Sequence, residues 1–280
     1  MKNGLAIWHY PHRTVLENVA YFAKQGYDSV SLVGSHMAQV CRSDQASAQL
    51  AQIIKETGLV LTVHHNLPRS HEEADVAAFR QEVDLIAAWQ EKYGLLHIYS
   101  FDVPQRIRDS ISPYLDYVLG RTKEIKIAVE DFGLTEAERS QINYLKGTPR
   151  FGYLIDIGHM FIRLRGKNGS GSTLFTHSES EGPVTDSPGS ADFAAAFRSK
   201  EFPIFEMHLH NNDGIEDMHN FLEDGCLQVE EVARAVKALQ FDGVMTIESA
   251  PGFRFACEYP ESDERIAATF RHWRDIWARV

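Results

Sequence analysis

Cysteine is scarce and unpatterned: Cys41, Cys226 and Cys257 are the 3 in 280 residues, and no two have CxxC spacing. That usage argues against a disulfide framework, fits a reducing compartment and leaves no thiol motif to carry a function. Long apolar runs are also missing. None approaches the ~18 residues of a membrane span, and Met1 to His9 lacks the apolar core of a signal peptide. We therefore expect a cytoplasmic protein with no membrane partner. Basic residues are outnumbered, 28 Lys and Arg against 39 Asp and Glu, for a formal net charge of -11. A polyanion such as nucleic acid is thereby a disfavoured partner.

What is present is a repeating unit. Leu5-Ala6-Ile7-Trp8 reads as a strand, and Val15, Val19, Phe22 and Ala23 then recur at helical spacing up to Gly26. The unit returns with Ser29–Val33 as strand and Ala46–Thr57 as helix, stopped by Gly58. It returns again with Leu59–Val63 and a helix from Glu72 to Lys92, opened by a Ser70/Glu73 capping box. Leu95–Tyr99 and Ile125–Val129 read as the fourth and fifth strands, flanking a helical stretch from about Pro104 to Arg121. Thr135 and Glu138 form a second capping box. Tyr153–Asp156, Ile204–His208 and Val244–Glu248 complete the strands, with helices at Asp192–Lys200, Val229–Leu239 and Glu261–Trp277. Strict alternation, with strands that are continuous apolar runs, predicts a single (β/α)8 barrel domain over residues 1–280. A doubly wound open sheet is the alternative, weakened because no Gly-rich dinucleotide fingerprint follows the first strand. The stretch from Gly166 to Ser190 is rich in Gly, Ser and Pro and predicts a mobile loop, a lid or an insertion without a role.

In such a barrel the C-terminal strand ends converge on one rim. There the chain carries His64 and His65 (third strand), His97 (near the end of the fourth), Glu130 (fifth), Asp156 with His159 (sixth), His208 (seventh) and Glu248 (eighth), and Asp217-Met218-His219 follows on a loop. Imidazole nitrogens and carboxylate oxygens are ligands for zinc and similar divalent ions. Whether His64 or His65 faces inward depends on a one-residue register.

Val129-Glu130-Asp131, Asp156-Ile157-Gly158-His159, His208-Leu209-His210-Asn211, Asp217-Met218-His219, Gly225, Gly243 and Glu248 together resemble the xylose isomerase-like TIM barrels. That family includes sugar isomerases and epimerases and the endonuclease IV group (AP endonuclease family 2). The resemblance covers nearly the whole chain and departs from the family at Glu223, where a glycine is usual. It implies that Glu130, Asp156, His208 and Glu248 hold a divalent ion, zinc or manganese. It also implies that His159, Asp217, His219, His64 and His97 are possible additional ligands for two or three zinc ions in all. The reaction implied is isomerisation or epimerisation of a small sugar or sugar phosphate by proton transfer through a metal-stabilised enediolate. Glu130 and Glu248 would act as acid and base, and His159, His64 and Trp8 would contact substrate. The alternatives are a multi-zinc phosphodiesterase and a non-catalytic barrel that binds sugar or metal.

Overall fold

The expected alternation closes into a ring. The computed structural model describes residues 1–7, 13–131, 134–165, 188–249 and 263–280. The elements run β1 (Lys2–Ile7), α1 (Val15–Ala23), β2 (Ser29–Val33), α2 (Gly34–Cys41), α3 (Asp44–Thr57), β3 (Val60–Asn66), α4 (Glu73–Tyr93), β4 (Leu96–Asp102) and α5 (Ser112–Arg121). They continue with β5 (Lys126–Glu130), α6 (Glu136–Ile142), β6 (Phe151–Asp156), α7 (Ile157–Leu164), α8 (Ser190–Arg198), β7 (Ile204–Leu209), α9 (Val229–Ala238), β8 (Val244–Ile247) and α10 (Asp263–Arg279). All neighbouring strands pair in parallel, and β8 returns to β1, making a closed barrel. Trp8 and the 166–187 part of the expected loop lie outside the described residues.

Side chains on a strand alternate between faces, so residues two apart share the interior. Thr62 and His64, Ser100 and Asp102, Ala128 and Glu130, Leu154 and Asp156, Glu206 and His208, and Thr246 and Glu248 are such pairs. Ala128 and Leu154 of these pairs join Ile98, Phe205 and Val244 in an apolar cluster separate from the main core between barrel and helices. The interior therefore changes from apolar to polar towards the C-terminal rim. Asp156, His208 and Thr246 are in register across β6, β7 and β8, which sets neighbouring polar groups at one height.

Several local expectations need correction. Along β3 and β4 the register passes from Leu61↔Leu96 to Thr62↔Ile98, so His97 is an extra, bulged residue. It sits near the start of β4, exposed, with Nδ1 3.2 Å from Leu95 O, and the strand runs on to Asp102. The Ser70/Glu73 capping box does not form. Ser70 Oγ instead accepts from Glu72 N and donates to Asp75 (3.2 and 2.6 Å). The stretch after Pro104 is a 3-10 turn (Gln105–Ile107) followed by α5, and α2 and α7 follow their strands without a connecting loop.

The second capping box does form. Thr135 N donates to Glu138 Oε2 (2.6 Å) and Glu138 N to Thr135 Oγ1 (3.3 Å). Thr135→Ala should cost about 1 kcal/mol, read as a lower urea midpoint with an unchanged slope.

Candidate functional site

The rim gathers carboxylates and imidazoles at contact distance. Glu130 Oε2 lies 3.3 Å from His64 Nε2, and its Oε1 lies 3.4 Å from His159 Nδ1. Asp156 caps α7: its Oδ1 accepts from His159 N at 2.7 Å and lies 3.2 Å from His210 Nε2. Asp217 Oδ1 is 3.1 Å from both His159 Nε2 and His219 Nε2, and 3.6 Å from His210 Nε2. His208 Nδ1 lies 3.0 Å from Glu248 Oε2. All these carboxylates are almost fully buried.

The loop after β7 delivers Asp217 and His219. Asn211 and Asn220 exchange backbone hydrogen bonds in an isolated antiparallel bridge (3.1 and 2.8 Å) that closes the loop at its base. Asn211 Nδ2 donates to Leu222 O, and Asn212 Nδ2 donates to Gly158 O, tying the loop to the start of α7. Gly225 is required by close approach, since a Cβ there would lie 2.2 Å from Asn211 Oδ1. Glu223 keeps an ordinary backbone and accepts from Thr269 Oγ1 (2.7 Å), so the missing glycine leaves no strain at that position. His219 adopts φ +49°, an uncommon conformation for a non-glycine residue, while its Nδ1 sits 3.0 Å from Glu248 O.

The charges support one another. Burial pulls His208 down, but the Glu248 and Glu206 carboxylates overcome it and hold the ring well above the usual imidazole value. Burial likewise opposes protonation of His159 and His219. Asp156 and Asp217 raise His159 well above its usual value, and Asp217 and Glu248 lift His219 to about 9. Burial would raise Asp156 and Asp217, yet the facing imidazoles lower both. Asp102 is the exception: burial and the Glu130 charge push it up to about 6.

These donors fit a divalent ion. Ligand atoms of His159, His210, Asp217 and His219 lie within 4.8 Å of one another, as do those of Glu130, Asp156 and His159, and those of Asp156, His208 and Glu248. Among the described residues, Asp156 Oδ2 is buried without a hydrogen-bond partner. A nitrogen and oxygen set without thiolate suits zinc or manganese.

His64 is the ring that faces Glu130. His65 turns away to Tyr99 Oη (2.9 Å) and Glu82 (2.8 Å). His97, far from the rim, joins none of these groups. Three further residues at or below the rim have no site role in the sequence pattern. His210 and Glu206 lie two positions on either side of His208, where strand alternation could have found them. Asp102 was hidden because β4 was read as ending at Tyr99.

The sequence profile of the xylose isomerase-like TIM barrels matches residues 19–276. The chain belongs to that family. No curated protein sequence matches it. Among solved structures of this barrel type, it is similar to the apo form of 3-keto-D-glucoside 4-epimerase from E. coli (15% identity, 98% of this chain and 99% of that chain, TM-score 0.68). It is also similar to D-psicose 3-epimerase from Clostridium cellulolyticum, crystallised with D-tagatose (11%, 100% and 99%, TM-score 0.65). Endonuclease IV from Thermus thermophilus is equally similar (13%, 100% and 100%, TM-score 0.68). At such identities the likeness is one of fold.

Two predictions follow from the packing and charge of the rim. A Cβ on Gly158 would lie 2.2 Å from His210 Cε1. Gly158→Ala should therefore displace that ring and weaken zinc binding in calorimetry, although alanine is the better helix former.

The second concerns metal-stripped protein. The raised His219 adds stability that is complete below its ordinary 6.5 and lost as pH rises through about 9, and His159 and His208 act in the same direction. The lowered Asp156 and Asp217 add stability that is present above 3.8 and lost only in stronger acid. Ionising Asp102 costs stability, but that cost is already incurred once pH exceeds about 6. Melts in chelator should thus show stability falling from about pH 6.5 to about 9. Zinc affinity should rise over the same interval as the rings lose protons.

Proposed function

We propose that the protein is a divalent-metal-dependent isomerase or epimerase of a small sugar or sugar phosphate. The observation that carries this reading is the pair of buried carboxylates Glu130 and Glu248, each partnered by an imidazole, on β5 and directly after β8, with Asp156 and His208 between them in the ring. A zinc or manganese ion held by Glu130, Asp156, His208 and Glu248 would stabilise negative charge on adjacent hydroxyl and carbonyl oxygens of the sugar.

The chain's own groups do the rest. One of the two glutamates removes a proton from the carbon beside the carbonyl, and the other returns one. If both act on the same carbon from opposite faces, its configuration inverts; if the proton returns to the neighbouring carbon, the carbonyl moves. His64 and His159, both beside Glu130, would orient that carboxylate and hold substrate hydroxyls. Burial of the rim keeps water from competing for the proton.

A second reading is favoured by a specific observation. His159, His210, Asp217 and His219 form a further donor group, enough for more than one zinc ion, as a metal-dependent phosphodiesterase would use. The formal net charge of -11 argues against a nucleic-acid substrate.

The test is solvent deuterium exchange into a panel of keto-sugars and their phosphates, beside cleavage of an abasic-site oligonucleotide. Metal-loaded protein should label a sugar C–H. Glu248→Gln should lower kcat by about 10²–10⁴-fold with a smaller change in KM. Asp217→Ala and His219→Ala should be milder. Strand cleavage without exchange, abolished by Asp217→Ala, would assign the phosphodiesterase reading. Sugar binding with neither reaction would assign a binding module.

A further inference from the structure

Below the rim lies a carboxylate that the proposed reaction does not use. Glu206 is fully buried inside the barrel, directly above an apolar cluster that an aliphatic side chain could have continued. It is held by hydroxyls from three other strands: Thr62 and Thr246 donate to Oε1 (3.0 and 2.7 Å) and Ser100 to Oε2 (3.4 Å). His208 Nε2 lies 3.7 Å from Oε1, within ion-pair reach but longer than a hydrogen bond. A carboxyl group retained in such a position needs a reason, because well-packed apolar groups commonly replace buried ionisable ones without loss of stability.

Two polar paths leave this carboxylate, and both end on the glutamates of the rim. On one side His208 links Glu206 to Glu248, Nε2 towards the former and Nδ1 towards the latter. On the other, Ser100 Oγ lies 3.1 Å from His64 Nδ1, and His64 Nε2 lies 3.3 Å from Glu130. A metal ion beside Glu248 would take the lone pair of His208 Nδ1, 3.0 Å from that carboxylate, so the proton of a neutral ring would sit on Nε2, facing Glu206. The single Ser100 proton is shared between Glu206 Oε2 (3.4 Å) and Val63 O (3.3 Å). With that proton committed, Ser100 Oγ accepts from His64 Nδ1–H, which leaves the His64 lone pair on Nε2.

The geometry points to Glu206 as a positioning residue that fixes opposite tautomers on His208 and His64, so that each ring offers its lone-pair nitrogen to the rim. This inference rests on the metal reading proposed above and names what orients its histidines. Ligand histidines are commonly held in this way by a hydrogen-bonding partner on the other nitrogen. Here one carboxylate would serve two rings, one directly and one through a serine.

Tautomers are read by two-bond 1H–15N correlation spectra of the imidazoles in zinc-loaded, 15N-histidine-labelled protein. Wild type should show His208 protonated on Nε2 and His64 on Nδ1. His208 protonated on Nδ1 would overturn the proposal, and this measurement needs no variant to fold. Glu206→Gln, which keeps the shape but can also donate, should mix the His208 tautomers. It should weaken zinc about 10–100-fold in competition with a chromophoric chelator. Ser100→Ala should shift the His64 resonances and leave those of His208 in place. Unchanged tautomers and zinc affinity in a folded Glu206→Gln protein would reduce Glu206 to a packing role and end the inference. If wild type takes up no zinc, the metal reading fails and this inference with it. Zinc uptake with the wrong tautomers would sink this inference alone.

Discussion

Carboxylates stripped of water must have positive charge beside them, and that requirement governs the rim of this barrel. Glu130, Asp156 and Glu248 are brought together because strands ending at a common rim leave them nowhere else to go, and the loop after β7 adds Asp217. Without a metal, the imidazoles of His64, His159, His208, His210 and His219 stand among them, and protons on several of these rings supply the compensation. The same rings offer lone pairs once those protons leave. The surroundings serve ring placement: Gly158 gives His210 room, Asn212 ties the β7 loop to α7, and His219 accepts an uncommon backbone conformation.

The interior is accordingly layered. Aliphatic groups fill the lower barrel, hydroxyls from Thr62, Ser100 and Thr246 occupy the middle with Glu206, and metal-competent donors occupy the top. The hydroxyls satisfy the Glu206 carboxyl group where polarity first rises through the barrel. Register links the layers, since Asp156 and His208 of the top layer pair across β6 and β7 and His208 pairs in turn with Thr246 of the middle one.

The barrel could be read from the sequence because each strand is a continuous apolar run and the helices between them have apolar faces. The rim was legible where a strand simply ended in a donor, as at Glu130, Asp156 and Glu248. It was misread where geometry departs from a plain strand. The bulge at His97 adds a residue to β4, so the histidine falls outside and the inward series continues to Asp102. Helix α7 was missed because Asp156 ends the strand and caps the helix in one residue, with no intervening loop to mark the change. His210 was passed over because the strand was read as stopping at His208, whereas β7 runs to Leu209 and the next inward side chain still faces the site.

The bridge between Asn211 and Asn220 closes the segment it encloses into a cassette, held to α7 by Asn212 and Arg165. Asp217 and His219 ride on that cassette, whereas Glu130, Asp156, His208 and Glu248 belong to the barrel wall or its immediate strand ends. Exchange of one surface loop could therefore add or remove a pair of donors together while the staves of the barrel kept their packing. A family built this way can vary its number of rim donors by loop replacement, and the charge at the rim becomes a property that evolves separately from the fold beneath it.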